Sequence, residues 1–125
     1  MKNFLIIFLL ISTSAFSQDM SDTIYKTSEV DSEPQFIDGT RALYMFISKT
    51  YRVPKIKKDT KVVIEFVVEK NGTLTNMKII EDPGKEFGEE FIRTMNMSPE
   101  WKPGMKDGIP VRTLYSVPLT LRKGD

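Results

Sequence analysis

Hydrophobic and polar positions alternate most cleanly over Lys61–Lys70. Val62, Ile64, Phe66 and Val68 share one parity; Val63, Glu65, Val67 and Glu69 share the other. That spacing predicts a strand with one wholly apolar face. Asn71-Gly72 follows at once and predicts a type I′ hairpin turn, whose two central residues both need positive φ. Thr73–Glu81 is then the return strand; Leu74, Met77 and Ile79 slip phase by one step, which a bulge near Thr75-Asn76 repairs. A third alternation runs through Val111, Thr113, Tyr115, Val117, Leu119 and Leu121, with Pro118 inside it. Two stretches have helical period instead. Thr40–Thr50 spaces Ala42, Leu43, Phe46 and Ile47 for one face, with Asp38 or Thr40 as N-cap and Pro54 beyond its end. Lys85–Met97 does the same with Phe87, Phe91, Ile92 and Met95, and Ser98-Pro99 stops it. Trp101–Gly104 and Lys106–Gly108 read as turns, Trp101 being a plug on the core. The order helix, strand, strand, helix, strand defines an α+β domain with a small antiparallel sheet.

The N-terminus has a different logic. Lys2 precedes the unbroken apolar run Phe4–Ile11, and Ala15-Phe16-Ser17 forms a small-x-small cleavage site. A membrane-spanning helix needs about 20 apolar residues. Residues 1–17 therefore read as a signal peptide cleaved after Ser17, leaving no retained membrane span and an exported product. Residues 18–35 are rich in Ser, Thr, Asp and Glu, and that composition predicts a flexible N-terminal segment. The folded domain is expected over 36–125.

Composition narrows the chemistry. A chain of 125 residues holds one small domain. It has no Cys and no His, which removes thiolate nucleophiles, the usual neutral-pH base and the commonest zinc ligands. Lys and Arg number 18 against 17 Asp and Glu, so nothing marks a nucleic-acid binder. Glu65 and Glu69 share a strand face but lie about 13 Å apart at ~3.3 Å per residue. Paired catalytic carboxylates work at about 5–9.5 Å. A non-enzymatic protein without metal or cofactor is expected. The basic run from Arg52 into Lys55–Lys61 supports an alternative, an envelope-associated module that holds cell wall through its lysines.

Several segments together resemble the C-terminal domain of the TonB family. They are Glu33-Pro34-Gln35-Phe36 ahead of Gly39, Val62–Val68 followed by Glu69-Lys70-Asn71-Gly72, and Ser98-Pro99-Glu100-Trp101-Lys102-Pro103-Gly104. Asp107-Gly108-Ile109-Pro110-Val111 and Tyr115-Ser116-Val117-Pro118-Leu119 complete the likeness, which runs from about Glu33 to Leu121. The resemblance implies a three-stranded antiparallel sheet packed on two helices. It also implies capture of a short extended peptide, the TonB box of outer-membrane receptors, alongside the last strand, in support of TonB-dependent transport. Energy transducers of this family carry a membrane helix and a long Pro-rich spacer; here only Pro34 and Pro54 precede residue 83.

Pro118 gives the last strand a direction. Proline has no N–H for a ladder, so its position should face outward at a sheet edge. The backbone groups of Arg112, Leu114, Ser116 and Thr120 share that parity, and with Pro118 they form the expected peptide-binding edge for strand addition. The partner implied is a receptor or another protein through an extended segment, and the same edge admits a homodimer.

Overall fold

A computed structural model describes residues 22–124. The expected signal peptide, residues 1–17, lies outside the described residues. In chain order the elements are β1 (Ile24–Tyr25), a short 3-10 turn (Thr27–Glu29), α1 (Thr40–Thr50), β2 (Thr60–Val68), β3 (Leu74–Glu81), α2 (Lys85–Asn96), β4 (Gly104–Lys106) and β5 (Ile109–Leu121). The α+β class and both helices are as expected. The sheet differs: its order is β1-β5-β2-β3, with β4 also paired to β5, and β1 runs parallel to β5. It is thus a mixed sheet of five strands, not three antiparallel ones.

The periodic segments account for the core. Val62, Ile64, Phe66 and Val68 are fully buried beneath the helices. Leu43 and Ile47 of α1, and Phe87, Phe91 and Met95 of α2, meet them, with Val117, Leu119 and Leu121 of β5. Trp101 fills the centre: its ring stands edge-on to Phe66 at 5.3 Å, to Tyr115 at 5.3 Å and to Phe36 at 5.7 Å. Its indole N–H donates to Ser98 Oγ at 2.9 Å, so the buried polar atom is satisfied. At the helix junction the Tyr51 hydroxyl donates to the Phe87 carbonyl at 3.1 Å, and Arg93 joins Glu90 to the Thr50 carbonyl. Burial pushes the Tyr51 phenol up to about 12.

Turn chemistry corrects two expectations. Between β2 and β3 only Gly72 has positive φ, not Asn71. Glu69 N–H donates to Thr73 O, Gly72 N–H to Glu69 O, and Asn71 Oδ1 accepts from the Thr73 amide. This is a three-residue connection closed by one left-handed glycine. A Cβ at Gly72 would collide with the Trp101 carbonyl, and Trp101 N–H donates to Gly72 O at 2.9 Å. The two-residue turn with both φ positive occurs instead at Asp107-Gly108, joining β4 to β5 in the stretch expected to be turns alone. The bulge near Thr75-Asn76 is present: the β2–β3 register shifts between Glu65 and Val67, and Asn76 takes φ 52°. The N-cap of α1 is Gly39, with no side-chain cap from Asp38 or Thr40.

Residues 18–35 were expected to be flexible, yet from Asp22 onward they have backbone partners. Ile24 and Tyr25 pair with Arg112 and Thr113. Asp31 and Ser32 amides donate to Met105 O, Met105 N–H donates to Ser32 O, and Gln35 exchanges bonds with Lys102. Lys106 Nζ donates to Glu29 O and Asp107 N–H to Asp31 Oδ2. Few apolar side chains take part, so a composition argument based on burial does not register the docking.

Phe66→Ala removes the ring on which Trp101 and Tyr115 pack. A loss of about 3–5 kcal/mol is expected in denaturant unfolding; a midpoint close to wild type would disprove this face assignment.

Candidate functional site

Both prolines of β5 turn the same side away from its partners. The β2–β5 register is continuous from Thr60↔Leu121 to Val68↔Thr113, placing Pro118 opposite Val63 without interruption. Its nitrogen has no hydrogen to give, so that parity must face away from β2. The Pro118 carbonyl instead accepts the Tyr44 hydroxyl of α1 at 3.0 Å. Pro110 lies opposite Met105, whose own N–H and C=O are taken up by Ser32 and Asp31. β4 and β2 therefore line one side of β5. The even-numbered backbone groups, Arg112, Leu114, Ser116 and Thr120, face the other side.

The expected site residues divide into an occupied end and an open end. β5 is an edge only in part: at Arg112 and Thr113 it is interior, because β1 lies outside it. Beyond that pairing, no strand lies outside β5 among the described residues. Leu114 is half-buried, and Ser116, Pro118 and Thr120 are exposed.

Two clefts flank the open stretch. One, about 350 Å³, lies between Leu114, Ser116 and Glu65 on the sheet and Lys26, Thr27 and Glu33 of the N-terminal segment. The other, about 230 Å³ and mainly apolar, lies between Tyr44 and Val53 on one side and Leu119 and Leu121 on the other. A strand added along β5 would alternate its side chains above and below the sheet, with one set facing the layer of α1.

The Arg112 side chain is committed. Its guanidinium makes a two-pronged pair with Glu69 at 2.7 and 3.1 Å and donates through Nη1 to the Asp22 carbonyl at 2.9 Å. Thr75 Oγ donates to the same carboxylate at 2.5 Å. The bond from Arg112 and that from Thr75 together outweigh partial burial and hold Glu69 below the usual carboxylate value. Burial also raises the Tyr115 phenol, with Glu33 adding to the effect. Among the described residues Glu69 is paired with Arg112, and Glu90 with Arg93.

Three participants carried little warning in the sequence. Tyr44, on the solvent side of α1, was outside the apolar face, and an exposed aromatic there was its only signal. Glu69 was visible as a surface acid but not as the Arg112 partner. Asp22–Tyr25 carries no periodicity.

The chain matches the family described as the Gram-negative bacterial TonB protein C-terminal over residues 52–121, more than half of its 125 residues. It belongs to that family, a periplasmic binding and energy-transduction domain rather than an enzyme. The matched region holds β2 through β5, including every residue of the β5 edge. No curated protein and no solved structure matches the chain. No helix among the described residues is long and apolar enough to cross a membrane.

The Glu69–Arg112 pair has a pH signature. An unfolded chain protonates Glu69 near 4.5, whereas the folded protein does so lower. Its stabilising effect is thus complete above pH 4.5 and fades as pH falls through the lower folded value. Glu69→Gln is expected to melt below wild type at pH 7, the gap closing in acid. A gap independent of pH would contradict this.

Proposed function

We propose that this protein is an exported, periplasmic TonB-type domain that binds an extended peptide of an outer-membrane receptor by adding it as a strand to the open side of β5. The observation that carries this reading is the one-sided pairing of β5. Its even-numbered amides and carbonyls from Leu114 to Thr120 face away from β2, beside two clefts, in a chain of this family. Ladder bonds supply affinity, each about 0.5–1.5 kcal/mol net, and the clefts receive alternate guest side chains. Position 118 contributes neither group, since its nitrogen is blocked and its carbonyl is held by Tyr44. The guest ladder therefore rests on Leu114, Ser116 and Thr120.

The exposed Lys55, Lys57 and Lys58 lie beside Pro83 and Glu86. Their cleft is separate from the two that flank β5, so replacing all three with Ala is expected to leave peptide affinity unchanged.

Proline substitutions at adjacent positions test the mechanism. Ser116→Pro removes an outward donor and is expected to weaken a receptor-derived peptide about two- to tenfold with little change in melting temperature. Val117→Pro breaks an internal bond to β2 at a buried position and is expected to cost about 1–3 kcal/mol or more of stability. Titration calorimetry and thermal melts read both. Unfolding by Ser116→Pro, or unchanged affinity, would contradict strand addition at this edge.

A further inference from the structure

The side of β5 assigned to a guest already holds a strand at one end, and that strand belongs to the same chain. Ile24 lies opposite Arg112 and Tyr25 opposite Thr113, in parallel orientation. In a parallel ladder a residue bonds to the neighbours of its partner. The outward groups of Arg112 therefore address Thr23 and Tyr25, leaving Ile24 to point its own backbone groups away. We propose that Asp22–Lys26 is a resident ligand of the β5 edge, which a guest strand of the same orientation displaces.

Its hold is light by construction. The pairing covers only two residues, and Ile24 is 40% exposed. Beside the ladder, Arg112 Nη1 donates to the Asp22 carbonyl and Lys106 Nζ lies over the Tyr25 ring at 5.6 Å. Downstream the chain is fastened more firmly. Lys106 Nζ donates to Glu29 O, Asp107 N–H donates to Asp31 Oδ2, and Asp31 and Ser32 bond to Met105. The segment can therefore lift away from β5 while residues 31–35 stay docked on β4 and Lys102. Tethered so close, it competes at an effective concentration of order millimolar, so a weak guest is excluded and a longer one, spanning Arg112 to Thr120, prevails. The resident also states what the edge accepts: a strand parallel to β5, carrying an aromatic side chain where Lys106 can cover it.

This inference rests on the strand-addition reading, and one experiment separates the two. The full chain is titrated with a synthetic peptide of sequence Asp22–Ser28, followed by amide chemical shifts of Arg112 and Leu114. Tyr25→Pro deletes the N–H that faces Arg112; Ile24→Pro deletes one that faces away. Neither residue belongs to the core, and thermal melts verify folding. Tyr25→Pro is expected to bind the peptide about tenfold tighter than wild type, with Ile24→Pro within twofold of it. Equal affinity for wild type and Tyr25→Pro would overturn the resident strand while leaving strand addition standing. Absence of binding to all three proteins would overturn the resident strand, whereas strand addition itself falls only if the receptor-derived peptide also fails to shift Leu114, Ser116 and Thr120.

Discussion

A strand that can be paired on one side only decides how this domain is built and what it can do. Pro110 and Pro118 lack the hydrogen that a ladder needs, and both fall on the same parity of β5. That parity must face away from any antiparallel partner. β2 and β4 accordingly take the other side, and the remaining side is left to β1 and to solvent. Prolines at an edge commonly protect a sheet from aggregation. Here they leave donors between them at Arg112, Leu114 and Ser116, with Thr120 beyond.

Trp101 makes that strand dependable. Its ring meets Phe36, Phe66 and Tyr115, which come from the chain before α1, from β2 and from β5. Its backbone reaches Gly72 in the β2–β3 connection. One residue thus couples the hairpin, the core and the segment that feeds β4. The exposed side of β5 is presented by a fully packed face, so a guest strand would meet an edge already fixed in twist and register. Such preorganisation lowers the entropic cost of binding.

Elements defined by their side chains were legible in the sequence. α1, β2, α2 and β5 each bury a periodic set, and Phe66, Phe91 and Ile47 lie where their spacing puts them. The bulge was legible too, because Leu74 and Met77 break alternation. β1 and β4 were not, being two and three residues long and held by backbone bonds. The anchoring of the N-terminal segment from Asp22 onward was not legible for the same reason: it runs through Met105, Lys102 and Arg112 rather than through buried apolar area. Both Asn71-Gly72 and Asp107-Gly108 carry a hairpin signal. At the first, the Asn71 carboxamide accepts from Thr73 and Gly72 is pinned against Trp101, so a longer connection wins. The parity of Arg112, Leu114, Ser116, Pro118 and Thr120 followed from one proline; the strand already lying beside Arg112 left no trace in composition.

Residue-resolved amide hydrogen exchange tests the central claim, that the outer side of β5 is an open ladder. In the free protein Val117, Leu119 and Leu121, which face β2, should exchange slowly, whereas Ser116 and Thr120 exchange fast. Saturation with an extended peptide from an outer-membrane receptor should protect Ser116 and Thr120 and leave the other three unchanged. Slow exchange at both parities without peptide, or continued fast exchange at Ser116 and Thr120 with peptide bound, would contradict it.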